Sequence, residues 1–309
     1  MRRLLPIVLV VVLLVAACSS GGDDDAAPTT TTSTRPATST TSATATAVST
    51  TTTTRPVAPL AARGPAEMAE ALRTANAVID DDDADEADLA GAGHALQVDY
   101  RALALHPEWD DAMGAALPAS LRDEVAANVE AARQLRALVR NPKPNLPAWT
   151  IVAPAPRDEL LGYYKEAERT FGVPWEYLAA VHLTETKMGR IRGTSTAGAK
   201  GPMQFLPSTW DAYGGGGDIE SNHDAILAAA RYLKANGAPE RMADALHHYN
   251  PTDKYVKAVT AYAEVMRADP DAYRGYYHWQ VYYWSTLGDV WLRVGYSETK
   301  ERPVTPADL

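Results

Sequence analysis

Residues 29 to 54 contain 15 threonines and almost nothing large and apolar. Such a stretch buries too little surface to offset its ordering entropy, so any core has to come from the chain that follows it. The sequence therefore predicts a tether over about 19 to 62 and folded structure only beyond it. Its roughly 44 residues give a random-coil span of about 35 to 40 Å and a contour near 145 Å.

What precedes the tether reads as an export signal, residues 1 to 18. Arg2 and Arg3 lead an apolar run from Leu4 to Ala17. Pro6 interrupts that run, and it is too short to span about 30 Å of hydrocarbon. The run ends Leu14-Val15-Ala16-Ala17-Cys18, and Cys18 is the single cysteine. This segment resembles the lipobox of bacterial lipoproteins, in which the cysteine is lipidated and becomes the first mature residue. The resemblance implies a lipid anchor at Cys18 on the outer side of the cell membrane. An ordinary secretory signal with an incidental cysteine is the alternative. One cysteine also rules out a disulfide framework or a zinc site built on several thiolates.

The formal charge is −10, and ten acids lie in two runs, Asp23 to Asp25 and Asp80 to Asp88. From Asn141 onward 18 Lys and Arg face 20 Asp and Glu. No broad basic field exists to hold a polyphosphate, so nucleic acid is not an expected partner. The Asp80 to Asp88 block reads as a solvated turn.

Helical spacing recurs over 63 to 145: Met68, Leu72 and Ala75, then Leu96, Tyr100 and Leu103, then Val125, Val129, Ala132, Leu135 and Leu138. Prolines 142, 144, 147, 154 and 156 cannot continue a helix and mark a boundary. A second unit, 157 to 270, is predicted to carry helices near 157–171, 174–188, 222–236, 240–249 and 252–268. In the extension over 271 to 309, Trp279 to Tyr283 and Val290 to Val294 flank Leu287-Gly288-Asp289 and read as a β-hairpin. Its aromatics, Tyr276, Tyr277, Trp279, Tyr282, Tyr283, Trp284 and Trp291, could stack on sugar rings but read as packing. The expected fold class is mainly α with a C-terminal β-hairpin.

The helix opened by Pro174 places Leu178, Val181 and Glu185 on one stripe, so a carboxyl lies where apolar side chains should. Burial raises the pKa of such a group, which a general acid working near neutrality requires. A Glu snorkelling to solvent or paired with Lys187 or Arg190 is the competing reading. Downstream, Thr194 to Lys200 and Gly201-Pro202-Met203-Gln204-Phe205 supply small residues, apolar contact and an amide able to donate and accept.

Here the chain resembles the lysozyme-like lytic transglycosylases, the soluble lytic transglycosylase superfamily, in an actinobacterial lipoprotein form. Glu185-Thr186-Lys187-Met188-Gly189 looks like the family's catalytic segment, and Gly201-Pro202-Met203-Gln204-Phe205 like its G-x-M-Q segment. Asp224 to Leu233 resembles the next helix, and His248-Tyr249-Asn250-Pro251 through Val256 the A-Y-N segment. These four pieces stand in family order over about residues 157 to 265 and cover a third of the chain.

The resemblance implies a lysozyme-like domain acting on peptidoglycan glycan strands without a cofactor or metal. Glu185 would protonate the glycosidic oxygen between N-acetylmuramic acid and N-acetylglucosamine, then deprotonate the muramoyl 6-hydroxyl, giving a 1,6-anhydro end. It further implies that Tyr249 orients Glu185, Asn250 supports that segment, Gln204 and Met203 line the cleft, and Thr186 stands where the family often has Ser. Packing roles remain open for Tyr249, Met203 and Asn250. Two rival readings stand beside it. One is a hydrolytic goose-type lysozyme using Asp211, Asp218 or Glu220 as base. The other is a non-catalytic wall-binding lipoprotein.

A calcium loop over Asp218, Glu220, Asn222 and Asp224 lacks the glycine at its sixth position, where His223 stands, and the Glu at its twelfth, where Ala229 stands. Asp224 is expected to cap the following helix. His182, three residues before Glu185, reads as a neutral packed histidine because no HExxH spacing accompanies it. No GxSxG nucleophile elbow occurs.

Overall fold

Pro65 and Glu67 open the first of eleven α-helices in a computed structural model that describes residues 58–309. The signal segment with Cys18, and nearly all of the tether, lie outside the described residues. Among the described residues no helix is long and apolar enough to cross a membrane.

α1 (Pro65–Ile79) packs on α2 (Glu86–Leu103), whose N-cap Asp85 accepts from the backbone N–H groups of Ala87 and Asp88. The acidic run thus supplies a cap and a turn. α3 (Asp110–Ala116) and the long α4 (Ala119–Leu138) complete this part. The Pro-rich segment follows in extended form, carrying β1 (Asn145–Leu146) and β2 (Thr150–Ile151).

α5 (Arg157–Phe171) and α6 (Trp175–Thr186) come next, and β3 (Ile191–Arg192) pairs back onto β2. α7 (Pro207–Tyr213), α8 (Asn222–Ala235), α9 (Met242–Tyr249), α10 (Asp253–Ala268) and α11 (Ala272–Tyr277) finish the helical part. Ten of the twelve residues of α6 are buried, so this helix is enclosed on all sides rather than along a single stripe. The N-cap of α8 is Ser221, whose hydroxyl accepts from the backbone of Asp224. The Asp224 carboxylate instead receives the backbone N–H of Asp218, so the cap lies three residues earlier than expected.

The apolar core runs without a break from Met68 on α1 to Trp279 beyond α11, and Pro59–Leu309 falls in one compact unit. α4 lies along α10, and α10 packs on α6. The helices of 63 to 145 therefore share their core with the helices that follow the prolines, because Ala131, Val125 and Val129 are buried with them rather than in a separate cluster.

The chain closes with a hairpin of β4 (Val281–Ser285) and β5 (Gly288–Leu292), in register from Val281 opposite Leu292 to Ser285 opposite Gly288. Its turn is Thr286-Leu287, beginning one residue before the predicted one, because the Ser285 hydroxyl accepts from Leu287 and donates to the Gly288 carbonyl. Val281, Tyr283, Val290 and Leu292 bury a second small core on Leu146, Trp149 and Ile151 of the Pro-rich segment. β6 (Arg302–Pro303) pairs with β1. The fold is mainly α with a C-terminal hairpin, as the sequence predicts.

Candidate active site

α6 delivers Glu185 in its last turn to the floor of a cleft of about 220 Å³. The cleft is walled by Tyr100 and Arg101 of α2, Leu135 and Arg136 of α4, Gln204, Tyr255 and Tyr262, and Tyr282 to Trp284 of the hairpin. Glu185 is 8% exposed, and burial pushes its carboxyl up to about 8 from an ordinary 4.5. Desolvation outweighs the two influences that favour the anion, a hydrogen bond from Tyr255 and the charge of Lys187. At neutral pH the group holds its proton. Among the described residues that line the cleft, Glu185 is the sole carboxyl.

The phenol that reaches Glu185 is that of Tyr255, donating to Oε1 at 2.7 Å. Tyr249, expected in that role, instead donates to the carbonyl oxygen of Met203 at 2.7 Å, with its ring 6.4 Å from that of Tyr255 and nearly parallel to it. Thr252 caps α10 by accepting from the Tyr255 backbone, so Tyr255 projects from the first turn of α10, whereas Tyr249 closes α9 beneath the loop.

That loop, 200 to 205, is bracketed by paired backbone hydrogen bonds between Lys200 and Phe205 at 2.9 Å. Thr186 donates to the Pro202 carbonyl and accepts from the Gly189 backbone, which ties the end of α6 to the loop from the other side. Thr186 and Met203 are both fully buried and do not line the cleft. Gln204 does line it, with φ 50° and its side chain donating to the Gly201 carbonyl at 2.9 Å. Asn250 is fully buried as the C-cap of α9. The expected set is thus brought together around one loop, with Glu185 and Gln204 in the cleft and Thr186, Met203, Tyr249 and Asn250 behind it.

His182 is fully buried with its Nδ1 2.7 Å from the Tyr164 hydroxyl, and burial pulls its pKa down to about 3. It stays neutral. Among the described residues no group of three or more His, Cys, Asp or Glu is arranged to hold a metal ion. Asp211, Asp218 and Glu220 are exposed and stand outside the cleft lining.

Reasoning from the sequence missed the contact of Tyr255 with Glu185 and the cations Arg101 and Arg136, named Lys187 only as a partner for Glu185, and set Tyr282 and Trp284 aside as packing. Tyr255 had a signal, since it falls in the first helical turn beyond the Asn250-Pro251 break. Arg101 and Arg136 come from segments far from Glu185 in the chain.

Because Tyr255 donates to the carboxylate form, removing its hydroxyl disfavours the anion. Tyr255→Phe is expected to move the alkaline limb of any Glu185-dependent activity to higher pH, read as a kcat/KM profile against pH. A limb that stays in place, or moves to lower pH, would contradict this role for the hydroxyl.

Fold and site together define a helical protein with one proton-holding carboxyl in a cleft of about 220 Å³. Over 123 residues the chain is 28% identical to the membrane-bound lytic murein transglycosylase F of Thiobacillus denitrificans, a match that covers 37% of this chain. It spans about a quarter of that relative, 26% of its length. No family model matches the chain, and no solved structure matches it.

Proposed function

We propose that this protein is a peptidoglycan lytic transglycosylase with a lysozyme-like catalytic part, cutting the β-1,4 bond between N-acetylmuramic acid and N-acetylglucosamine. The observation that carries this reading is a solitary cleft carboxyl kept protonated by burial. Distant similarity to a lytic murein transglycosylase supports it.

In this mechanism Glu185 donates its proton to the glycosidic oxygen as the bond to the anomeric carbon breaks. The oxygen of the muramoyl 6-hydroxyl then bonds to that carbon, and its proton passes to the Glu185 carboxylate. The acid is restored and a 1,6-anhydro ring formed. No water enters, so no second carboxylate is needed to place one, unlike in glycosidases that use carboxylate pairs. The exposed positions of Asp211, Asp218 and Glu220 favour this route over the hydrolytic one. Tyr255 stabilises the carboxylate between the two proton transfers, and Gln204 offers its amide to the sugar. No cofactor or metal takes part. Anchoring through Cys18 and the tether would hold the enzyme on the outer face of the membrane within reach of the wall.

Mass spectrometry of fragments released from sacculi by the purified protein tests the proposal. Ends lighter by one water than hydrolysed ends are expected. Hydrolysed ends would establish the lysozyme reading instead, and no release at all would leave a binding protein.

The same carboxyl sets a pH limit. As an acid pushed up to about 8, Glu185 is protonated below that value and loses its proton above it. Cleavage is expected to hold through neutrality and to fall above about pH 8. A fall centred near pH 5 would contradict a buried acid.

A further inference from the structure

The walls of the cleft carry Arg101, Arg136, Lys143 and Lys187. The lone lining carboxyl, Glu185, is neutral at pH 7, so this surface is strongly positive although the folded chain beyond Asn141 is close to balanced. Asp289 of β5 answers part of this charge, pairing with Arg101 at 2.5 Å and with Arg136 at 3.7 Å. One carboxylate shared by two guanidiniums leaves an excess.

Those guanidiniums are also held in place. Arg101 lies 4.8 Å over the Tyr282 ring and Arg136 lies 4.2 Å over the Trp284 ring. Gln97 of α2 both donates to the Gln280 carbonyl and accepts its backbone N–H, locking the hairpin to the helix that bears Arg101. Lys187, two residues past Glu185, donates to the Leu183 carbonyl. Burial and repulsion from Arg101 draw its ammonium down to about 8. Two cations fixed within reach of each other's field in a low-dielectric cleft are relieved by an anion placed between them.

We propose that Arg101, Arg136 and Lys187 form a subsite for a carboxylate of the peptide stem borne by the glycan strand, so that α2, α4 and the hairpin select stem-bearing strands. This rests on the glycan-cleaving reading above, since the sugar chain itself offers no such charge once its lactyl group is joined to the stem. Planar guanidiniums suit a carboxylate through paired hydrogen bonds, and the rings beneath them fix their planes. Apart from Lys187, the subsite is made by elements outside the segments that resemble the transglycosylase family.

Calorimetry on the full chain carrying Glu185→Gln tests the subsite without turnover. The ligands are uncharged N-acetylglucosamine hexamer, glycan fragments with free-carboxylate stems, and the same fragments with the stem carboxylates amidated. The free-carboxylate fragment is expected to bind about tenfold more tightly than either of the others. That advantage should shrink as salt is raised and vanish in Arg101→Gln/Arg136→Gln, while Arg136→Lys should keep part of it. Should the double variant fail to fold, Lys187→Met carries the test with the same expected loss. Equal affinities for free and amidated stems, or an advantage that survives removal of the charges in a folded variant, would overturn the subsite. Cleavage products have no bearing on this result, so failure of the transglycosylase reading would show separately, in the masses of the fragments released by the unsubstituted protein.

Discussion

Glu185→Gln is expected to lower glycan cleavage at least about 100-fold, the usual contribution of a positioned general acid, with the fold retained. The substituted amide keeps the shape of the carboxyl and can still accept from Tyr255, so the cleft walls have no cause to move. What disappears is the transferable proton. Stability supplies an independent check. The folded pKa of Glu185, about 8, lies above its ordinary 4.5. Hence the folded chain binds more protons than the unfolded one between those values, and its stability falls as pH rises through that window. Gln does not titrate, so the melting temperature of the variant should gain on that of the parent from about pH 5 to about pH 9. A variant cutting sacculi at more than about a tenth of the parental rate would remove Glu185 from the mechanism. A constant melting difference across pH would show that the carboxyl is hydrated.

Gly201→Ala should be the most damaging single methyl group in the loop that carries Gln204. A Cβ there would stand 1.9 Å from the carbonyl oxygen of Ile219, and the backbone sits at φ +73°. The obstacle is backbone, which cannot rotate aside as a side chain can. The left-handed conformation costs about 1 to 2 kcal/mol and the overlap about 1 to 3 more. For a folded part of this size the loss corresponds to a drop of about 10 °C in melting temperature. Gly216→Ala provides the matched control. Its φ is +81°, but a Cβ there meets nothing within 4 Å, so only the conformational cost of about 1 to 2 kcal/mol applies. Thermal unfolding followed by circular dichroism should separate the two variants clearly. Equal melting temperatures would mean that the loop shifts freely, and with it the placement of Gln204.

Legibility from the sequence tracked the range of the interactions involved. The boundaries of α5 and α8 were readable because Pro156, Gly172 and Ser221 to Asp224 act within a turn or two of the residues they cap. Glu185 was readable because a carboxyl among Leu178, Val181 and Ala180 conflicts with a buried helix face. Tyr249 ends a helix, as the spacing predicts, but it donates to the Met203 carbonyl instead of orienting Glu185. Which of two phenols six residues apart meets a carboxylate depends on the angle between α9 and α10, and the intervening Asn250-Pro251 gives no measure of that angle.

Sequence alone determined that the described part of the chain is mainly helical and which carboxyl sits at a cost among apolar neighbours. Both follow from composition and from spacing along the chain, which solvation and backbone sterics read locally. Only the tertiary structure decided that Tyr255 holds Glu185, that the helices before the prolines share one core with those after them, and that Arg101, Arg136 and Lys187 meet across one cleft. Those depend on segments brought together by burial from as far apart as α2 and β5, and the packing angles between them appear in no local pattern.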